Sequence, residues 1–210
     1  MSYISIRSPA SAEVTIKKSR FIGRAFPVST EAEIQAILQN IRKENWDARH
    51  HCYAYRLLDS GYTRFSDDGE PSGTAGKPIL DVLTGAGLSD VLIVVTRYFG
   101  GILLGTGGLA RAYAEAAGDA IACAEPVDYR DACRFSLPLD YSGWTRMEKW
   151  LRGHADLESV DYGAQVTVTC WVEKEMAEDF KNNIVDLLDG KFLPEETGAG
   201  LHSFSASGKA

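Results

Sequence analysis

The sequence predicts an α+β protein of two domains divided near residue 128, and three observations support this. Apolar residues make up 45% of the 210 positions, which is enough to form buried cores. The hydrophobic pattern switches along the chain between a period of two and helical spacing. Residues 131–210 carry −6 of the net charge of −7, so the composition changes where the pattern restarts. We therefore expect domains at 1–128 and 129–197, followed by a small, polar and flexible tail at 198–210.

The first domain is predicted to begin with two strands and a helix. Alternating apolar and polar residues from Glu13 to Val28 indicate a strand pair with a charged middle. Thr30 and Glu33 then form a capping-box pattern, in which each side chain covers a free backbone N–H at a helix start. Apolar residues at helical spacing after this box predict a helix at about 30–44.

The rest of the first domain is expected to complete a mixed or antiparallel sheet. Cys52–Leu58 is aromatic and apolar and predicts a strand, which can pair with Tyr62–Phe65 through the turn between them. Val91–Val95 is apolar throughout, which is typical of a strand covered on both faces. Two further helices are predicted at about 74–84 and 106–124.

The second domain has the pattern of a ferredoxin-like plait. Alternation from Cys133 to Leu139 indicates a strand with one buried face. Two predicted helix faces consist of Trp144, Met147 and Leu151, and of Met176, Phe180, Ile184 and Leu187. Two strands lie between these helices, separated at Asp161–Gly163, and a last short strand is expected at Phe192–Leu193. The resulting order, β-α-β-β-α-β, is that of the ferredoxin-like fold.

Composition narrows the functional classes. The longest apolar run is far too short to span a membrane, and the first residues lack the basic and apolar segments of a secretion signal. The four cysteines lie far apart without a C-x-x-C pair, which favours reduced thiols in a cytoplasm. The acidic second half is a poor partner for polyanions, so any nucleic-acid contact is expected in the first half.

Three segments of the first domain carry unusual chemistry. Arg49–Arg56 holds two adjacent histidines and a cysteine, Ser66–Pro78 is rich in acids and glycine, and Arg97–Ala110 holds five glycines. In this order the segments resemble the IMPACT family, and the string Arg97-Tyr98-Phe99-Gly100-Gly101 after an apolar strand is the most specific part. The resemblance is dense from residue 13 to about 125. Residues 131–196 are similar by pattern to the smaller C-terminal domain of the bacterial members.

The resemblance implies a fold and a general role. The family's first domain is a ribosomal-protein-S5-domain-2-like α/β sandwich, also similar to a domain of elongation factor G, and its second domain resembles that factor's ferredoxin-like domains. The eukaryotic relative regulates translation by competing for a protein that activates a stress kinase. Because no established catalytic residues come with the family, the resemblance implies a protein associated with translation or with RNA.

A basic run at Lys17, Lys18, Arg20 and Arg24 contains no acid between its members. The glycine-rich segment could extend this run in space, and Tyr98 with Phe99 could supply stacking surfaces for unpaired bases. The alternative is a solvated hairpin face with one of these rings in the core. The residues predicted to contact RNA or another ligand are Lys17, Lys18, Arg20, Arg97, Gly100, Gly101, Gly105, Gly107 and Gly108.

The glycines admit two interpretations. A glycine loop ahead of a helix exposes N–H groups to an anion, and the helix dipole adds to the attraction. Yet Gly105-x-Gly107-x-x-Ala110 lacks the tight turn after a strand that a dinucleotide site requires, and Pro78 stands where a P-loop needs Ser or Thr. The other interpretation is that the glycines supply positive φ angles and close backbone approach.

A second set of residues is a candidate pocket for a small phosphorylated or nucleotide-like substrate. Its members are His51, Asp67, Asp68, Glu70 and Lys77. No metal is expected, because no metal-binding histidine spacing occurs and adjacent histidines on a strand point to opposite faces. The acids could equally be solvated, or cap the helix after Thr74. Cys52 is interpreted as a core thiol, since no orienting acid or oxyanion loop accompanies it.

The leading hypothesis is a non-enzymatic protein without a cofactor that binds RNA, the ribosome or a translation-factor protein through its first domain. An enzyme acting at the 66–78 and 97–108 loops is the alternative, and it requires both loops to meet in one concave pocket. A protein-binding adaptor would instead show an exposed apolar patch. Arg97 is predicted to form a charge-assisted pair with one of the acids of the 66–78 loop, the other possibility being an arginine that touches only water.

Overall fold

Two five-stranded sheets organise the chain in this computed structural model, which describes residues 2–59 and 61–205. The chain divides into two units, one spanning Tyr3–Val127 and the other containing Ser2 and the described residues from Asp128 onward. The division falls within strand β1, Ser2–Ile6, and within strand β7, Pro126–Leu139. Strand β1 was not predicted from the sequence. No described helix is both long and apolar enough to span a membrane.

The first unit holds a sheet with the strand order β2-β3-β6-β4-β5, in which neighbouring strands are antiparallel. Its strands are β2 (Ala10–Ile16), β3 (Ser19–Pro27), β4 (His50–Arg56), β5 (Thr63–Ser66) and β6 (Val91–Tyr98). Its helices are α1 (Glu31–Glu44), α2 (Gly76–Gly85) and α3 (Thr106–Ala122). These bounds confirm the predicted strand pair at 13–28, the hairpin at 52–65 and all three helices; residue 60 of the hairpin turn lies outside the described residues.

Strand β6 is buried on both faces, as its unbroken apolar run predicts. Val91, Ile93 and Val95 pack in the core beneath α2 and α3, and Leu92 and Val94 pack against α1 on the opposite face. The sheet is therefore covered by helices on both sides, which explains why this strand lacks alternation.

Helices α1 and α3 are each fixed by a local feature. The capping box predicted at Thr30 and Glu33 is present at the start of α1. At α3, a Cβ on Gly23 would lie 2.1 Å from the carbonyl oxygen of Ala116, so only glycine lets the helix approach strand β3 this closely. This contact holds the body of α3 on the sheet and thereby sets the position of its N-terminus.

The second unit has the predicted β-α-β-β-α-β order. After β7 come α4 (Tyr141–His154), β8 (Asp156–Tyr162), β9 (Val166–Glu173), a 3-10 turn (Lys174–Met176), α5 (Ala177–Leu187) and β10 (Glu195–Ser205). Strand β9 lies between β7 and β8, and β10 pairs with the other side of β7. This is the strand arrangement of a ferredoxin-like domain, with Phe135, Leu137, Met147, Leu151 and Phe180 in its core.

The end of the chain differs from the prediction. The last strand is not Phe192–Leu193 but Glu195–Ser205, so residues 198–205 are not a flexible tail; residues 206–210 lie outside the described part of the chain. Backbone pairing with β7 holds this polar strand, and two side chains add anchors. Lys181 pairs with Glu196 at 3.1 Å, and the His202 ring stacks on Trp171 at 4.7 Å between centroids.

Candidate functional site

The lysine turn and the glycine loop lie against each other in the first unit. Lys17 and Lys18 form the turn between β2 and β3, with φ angles of 45° and 66°. A Cβ on Gly100 would lie 2.0 Å from the carbonyl carbon of Lys18, and the Gly100 N–H donates to Ser19 Oγ over 3.1 Å. Only glycine permits this approach, which joins the basic turn to the following loop.

Two other glycines of the loop adopt backbone conformations that residues with a Cβ rarely adopt. Gly101 and Gly105 have φ angles of +81° and +73°, so the structural interpretation of these glycines is confirmed at both positions. Gly107 and Gly108 lie in the first turn of α3, and a Cβ on Gly107 would meet nothing within 4 Å.

Aromatic side chains accompany the basic turn. The Arg20 guanidinium lies 4.4 Å from the centroid of the Tyr98 ring, a cation–π geometry. The Tyr98 hydroxyl is 3.2 Å from carbonyl or carboxylate oxygens of both Asn45 and Asp47. Trp46, between these two, is 82% exposed. We define the basic surface as Lys17, Lys18, Arg20, Trp46, Tyr98 and the loop 99–103.

Arg97 does not extend this surface, because it is buried. Its Nη1 donates to Glu70 Oε1 over 2.6 Å, and the Tyr113 hydroxyl donates to the same oxygen over 2.8 Å. The guanidinium lies 5.5 Å from each of the ring centroids of Phe21 and Phe99. The predicted pairing of Arg97 with the acidic loop is thus confirmed, whereas its expected place beside the exposed lysines is wrong, since a strand covered by helices cannot present it to solvent.

Asp67 organises the loop that carries Glu70. Its carboxylate accepts N–H bonds from Gly73 at 2.8 Å, Ala75 at 3.0 Å and Gly76 at 2.8 Å. Burial acts to raise the pKa of Asp67, but these three backbone donors outweigh it and lower that pKa. Asp67 therefore caps the start of α2, which confirms the capping alternative for this acid and places it outside the expected pocket.

Asp68, His51 and Lys77 also have other contacts. Asp68 Oδ2 accepts the backbone N–H of His51 over 2.7 Å, and His51 Nδ1 lies 3.1 Å from Thr96 Oγ1. Burial lowers the pKa of His51. Lys77 is exposed and pairs with Asp81 within α2. None of these three residues lines the cavity that Glu70 lines. The predicted pocket of His51, Asp67, Asp68, Glu70 and Lys77 is therefore wrong except for Glu70, which lies where the 66–78 and 97–108 loops meet.

The two loops do meet in one cavity, of about 390 Å³. Its wall is formed by Arg49, His50, Glu70, Pro71, Arg97, Phe99, Leu103, Leu104, Gly105, Thr106 and Leu109. The enzyme hypothesis required the 66–78 and 97–108 loops to meet in one concave pocket, and this requirement is fulfilled. Sequence reasoning missed Arg49, His50 and Thr106, although the strand alternation that places His50 on the face of Cys52 was visible.

His50 is held in one tautomer at this cavity. It lies opposite Arg97 in the β4–β6 ladder, so the two side chains share a face. Its Nδ1 is 2.8 Å from the backbone oxygen of Asp68, and because a carbonyl can only accept, Nδ1 carries the hydrogen. Its Nε2, 3.9 Å from Glu70 Oε1, then presents a lone pair or, when protonated, a second donor.

The N-terminus of α3 opens at the same cavity. Gly105 is the N-cap residue and gives no side-chain cap, and the first helical bond runs from the Leu109 N–H to the Gly105 oxygen. Gly105 and Thr106 both line the cavity. The amide groups of this turn and the positive end of the helix dipole therefore lie at its edge.

Neither a reactive cysteine nor a metal cluster accompanies this geometry in the described residues. Cys52 is fully buried, its thiol donates to the Asp67 backbone oxygen over 3.0 Å, and burial raises its pKa far above the ordinary thiol range. The interpretation of Cys52 as a core thiol agrees with this. No group of three or more His, Cys, Asp or Glu in residues 2–59 and 61–205 has metal-binding geometry.

Comparisons with known proteins agree over both units. The Impact N-terminal domain matches residues 17–121, and a domain of unknown function, DUF1949, matches residues 137–191. The IMPACT family member YvyE of Bacillus subtilis (strain 168) is 38% identical over 192 residues, 90% of this chain and 88% of that protein. The IMPACT family member YigZ of Escherichia coli (strain K12) is 36% identical over 194 residues, 90% and 95% of the two chains. A crystal structure of a hypothetical protein, 33% identical, has a TM-score of 0.60 and covers 94% of this chain and 98% of that one.

Proposed function

The chain belongs to the IMPACT family, and from this premise we propose that it is a non-enzymatic, cytoplasmic regulator of translation that contacts RNA through its first unit. The contact surface in this proposal is the basic surface around Lys17 and Lys18. The observation that carries the proposal is the close packing of Gly100 on the Lys18 backbone, which brings the lysine cations next to a loop that holds the exposed ring of Phe99.

The chemistry of this surface suits single-stranded RNA. Lys17 and Lys18 have no ion-pair partner among the described residues, so both charges are available to phosphates. Trp46 and Phe99 are 82% and 46% exposed and can stack on unpaired bases. The surface lies in the half of the chain whose net charge is −1 rather than −6, which keeps repulsion of a polyanion small.

The cavity supports a binding role better than catalysis. The enzyme hypothesis assigned acid–base work to His51, Asp67, Asp68 and Glu70, and the first three are bonded elsewhere. Glu70 accepts hydrogen bonds from both Arg97 and Tyr113, and it is only 9% exposed. A carboxylate that is fixed in this way is poorly suited to take a proton from a substrate.

The proposal is tested by removing the two lysine charges without straining the turn. Asparagine tolerates positive φ, so the Lys17→Asn/Lys18→Asn variant should keep wild-type stability. We expect this variant to bind a single-stranded RNA and ribosomes more weakly. The slope of log affinity against log salt concentration should also become less steep by about 1.4, because two phosphate contacts are lost and each contributes ~0.7 to the slope on a single strand. The matched control replaces two exposed lysines of the second unit, Lys149→Gln/Lys191→Gln, and should bind as the wild type does.

Two outcomes would overturn the proposal. One is a wild-type protein that binds neither RNA nor ribosomes at low salt, where phosphate contacts are strongest. The other is ribosome binding that survives nuclease treatment of exposed RNA and is unaffected by the lysine variant. The second result would instead support contact with a translation-factor or ribosomal protein.

A further inference from the structure

We propose that the cavity between the 66–78 and 97–108 loops binds a nucleoside 5′-monophosphate, with its phosphate at the N-terminus of α3. This inference concerns the cavity next to the basic surface, which shares only Phe99 and Leu103 with it, and adds a ligand class to the proposed function. The nucleotide can be free or be the 5′-phosphorylated end of an RNA strand, because the same chemistry recognises both.

The anion end of the cavity is built from a helix terminus and two arginines. Gly105 and Thr106 open the first turn of α3 at the wall, without a side-chain cap. Arg49 lines the same wall and has no ion pair with any described residue. A phosphate monoester fits this end because helix N-termini and guanidinium groups are the usual partners of phosphate oxygens.

Arg97 gives a second, independent indication of a ligand. Its side chain is buried in the cavity wall, 7% exposed, and its Nε has no hydrogen-bond partner in the part of the chain that the structure describes. Its Nη1 is satisfied by Glu70, so the guanidinium keeps unused donor capacity in the wall of the cavity that Gly105 and Thr106 also line. A buried donor without a partner costs folding free energy, and in a native structure such a group calls for an explanation, which a bound ligand would supply here.

Apart from His50 and Glu70, the remaining wall is apolar and favours a flat, aromatic body on the ligand. Pro71, Phe99, Leu103, Leu104 and Leu109 provide it. A sugar phosphate would leave hydroxyl groups without partners against these side chains, whereas a nucleobase can pack on them. The volume of about 390 Å³ lies at the lower end of small-molecule pockets, which suits one nucleotide.

The cavity is also continuous with the basic surface, since Phe99 and Leu103 belong to both. An RNA strand held on that surface could therefore place its terminal nucleotide in the cavity. This continuity is the reason to test a 5′-phosphorylated oligonucleotide beside the free nucleotide.

The full-length chain is titrated with AMP, adenosine, ribose 5-phosphate and inorganic phosphate by calorimetry. We expect AMP to bind at least tenfold more tightly than each of the other three, because only AMP offers both the phosphate and the base. An RNA oligonucleotide with a 5′-phosphate is compared with the same oligonucleotide ending in a 5′-hydroxyl. Preference for the phosphorylated end identifies RNA termini as a source, and binding of AMP alone identifies free nucleotides.

Two variants link the binding to this cavity. Thr106→Pro places proline at the first helical position, where it is tolerated, and removes one N–H donor; Thr106→Ala keeps that donor and is the matched control. We expect a loss of affinity for AMP of about tenfold in Thr106→Pro and in Arg49→Gln, and almost none in Thr106→Ala, with unchanged melting temperatures.

The Lys17→Asn/Lys18→Asn variant should bind AMP normally, which separates this inference from the proposal for the basic surface. Absence of binding to both AMP and the phosphorylated oligonucleotide would overturn the inference. Equal affinities for AMP and adenosine would overturn it too, as would AMP binding that neither Thr106→Pro nor Arg49→Gln weakens.

Discussion

Arg97 Nη1 and Glu70 Oε1 lie 2.6 Å apart in a pair whose side chains are 7% and 4% exposed. The pair joins the end of strand β6 to the loop that precedes α2, so one contact fixes both walls of the cavity. A buried ion pair stabilises little relative to apolar residues of the same size, but breaking it leaves an uncompensated charge. The main role of this ion pair is therefore to fix the positions of the two loops relative to each other.

Replacing Arg97 by alanine should lower the free energy of unfolding by roughly 3–5 kcal/mol, because the buried Glu70 carboxylate loses its cation. Chemical denaturation measures this loss. The double variant Arg97→Met/Glu70→Met removes both charges and should recover most of it. An Arg97→Ala protein as stable as the wild type would contradict this prediction and show that Glu70 does not depend on the Arg97 charge.

Gly100→Ala should destabilise the first unit by roughly 1–3 kcal/mol, since its Cβ would lie 2.0 Å from the backbone of Lys18 and the loop must move. Gly107→Ala is the matched control. A Cβ on Gly107 meets nothing within 4 Å and lies in a helix, so this change should stabilise by ~0.4–1 kcal/mol. Urea denaturation of both variants gives the comparison, and equal effects of the two substitutions would contradict the close packing of loop and turn.

His51 should make stability depend on pH. Burial lowers its pKa, an effect that Arg42, His50 and Arg24 reinforce and Asp68 opposes. The unfolded state then binds more protons than the folded state just below the ordinary histidine pKa of ~6.5. The contribution of His51 is therefore complete above about pH 6.5 and is lost as the pH falls towards the lower, folded pKa.

The pH effect is measured as the difference in free energy of unfolding between the wild type and His51→Gln from pH 5 to pH 7. We expect this difference to grow as the pH rises, because glutamine does not titrate. A difference that stays constant over this range would mean that His51 has the same proton affinity in both states.

Much of the fold could be predicted because local patterns and global packing agree. The capping box at Thr30 defines a helix start by itself, and the uninterrupted apolar run of β6 has few explanations other than burial on two faces. Strand β10 could not be predicted in this way. Its pairing with β7 depends on backbone hydrogen bonds and on contacts such as His202 with Trp171, which leave no hydrophobic period in the sequence.

The candidate site was predictable only in part for a related reason. The pairing of Arg97 with an acid follows from a cation at the end of a buried strand beside an acidic loop. Which acid it meets depends on how that loop folds. Asp67 instead accepts hydrogen bonds from backbone N–H groups of Ala75 and Gly76, and no residue pattern in the sequence predicts these bonds. His50 reaches the cavity because the β4–β6 register places it opposite Arg97, and a register between distant strands cannot be read from either strand alone.

Asp67 should prove as important for the cavity as the residues that line it. Asp67→Ala removes the acceptor for the backbone N–H groups of Gly73, Ala75 and Gly76, and we expect a loss of about 2–3 kcal/mol because charge-assisted bonds are replaced by poorly hydrated donors. Asp67→Asn keeps one acceptor oxygen and should lose less. Because the pKa of Asp67 is lowered in the folded state, its contribution is present above the unfolded pKa of ~3.9 and disappears as the pH falls through the folded value.

The control for this prediction is Asp81→Asn, which removes an exposed acid within α2, the helix that Asp67 caps, and should change stability by less than ~0.5 kcal/mol. Denaturation at neutral pH and near pH 3 separates the two acids. At neutral pH Asp67→Ala should be far less stable than Asp81→Asn. Near pH 3 the gap should narrow, because the Asp67 carboxylate of the unfolded chain, with an ordinary pKa of ~3.9, is then mostly protonated while the backbone donors still lower its folded pKa. If Asp67→Ala matches the control at both pH values, the loop is held by other contacts, and the placement of Glu70 beside Arg97 does not depend on this cap.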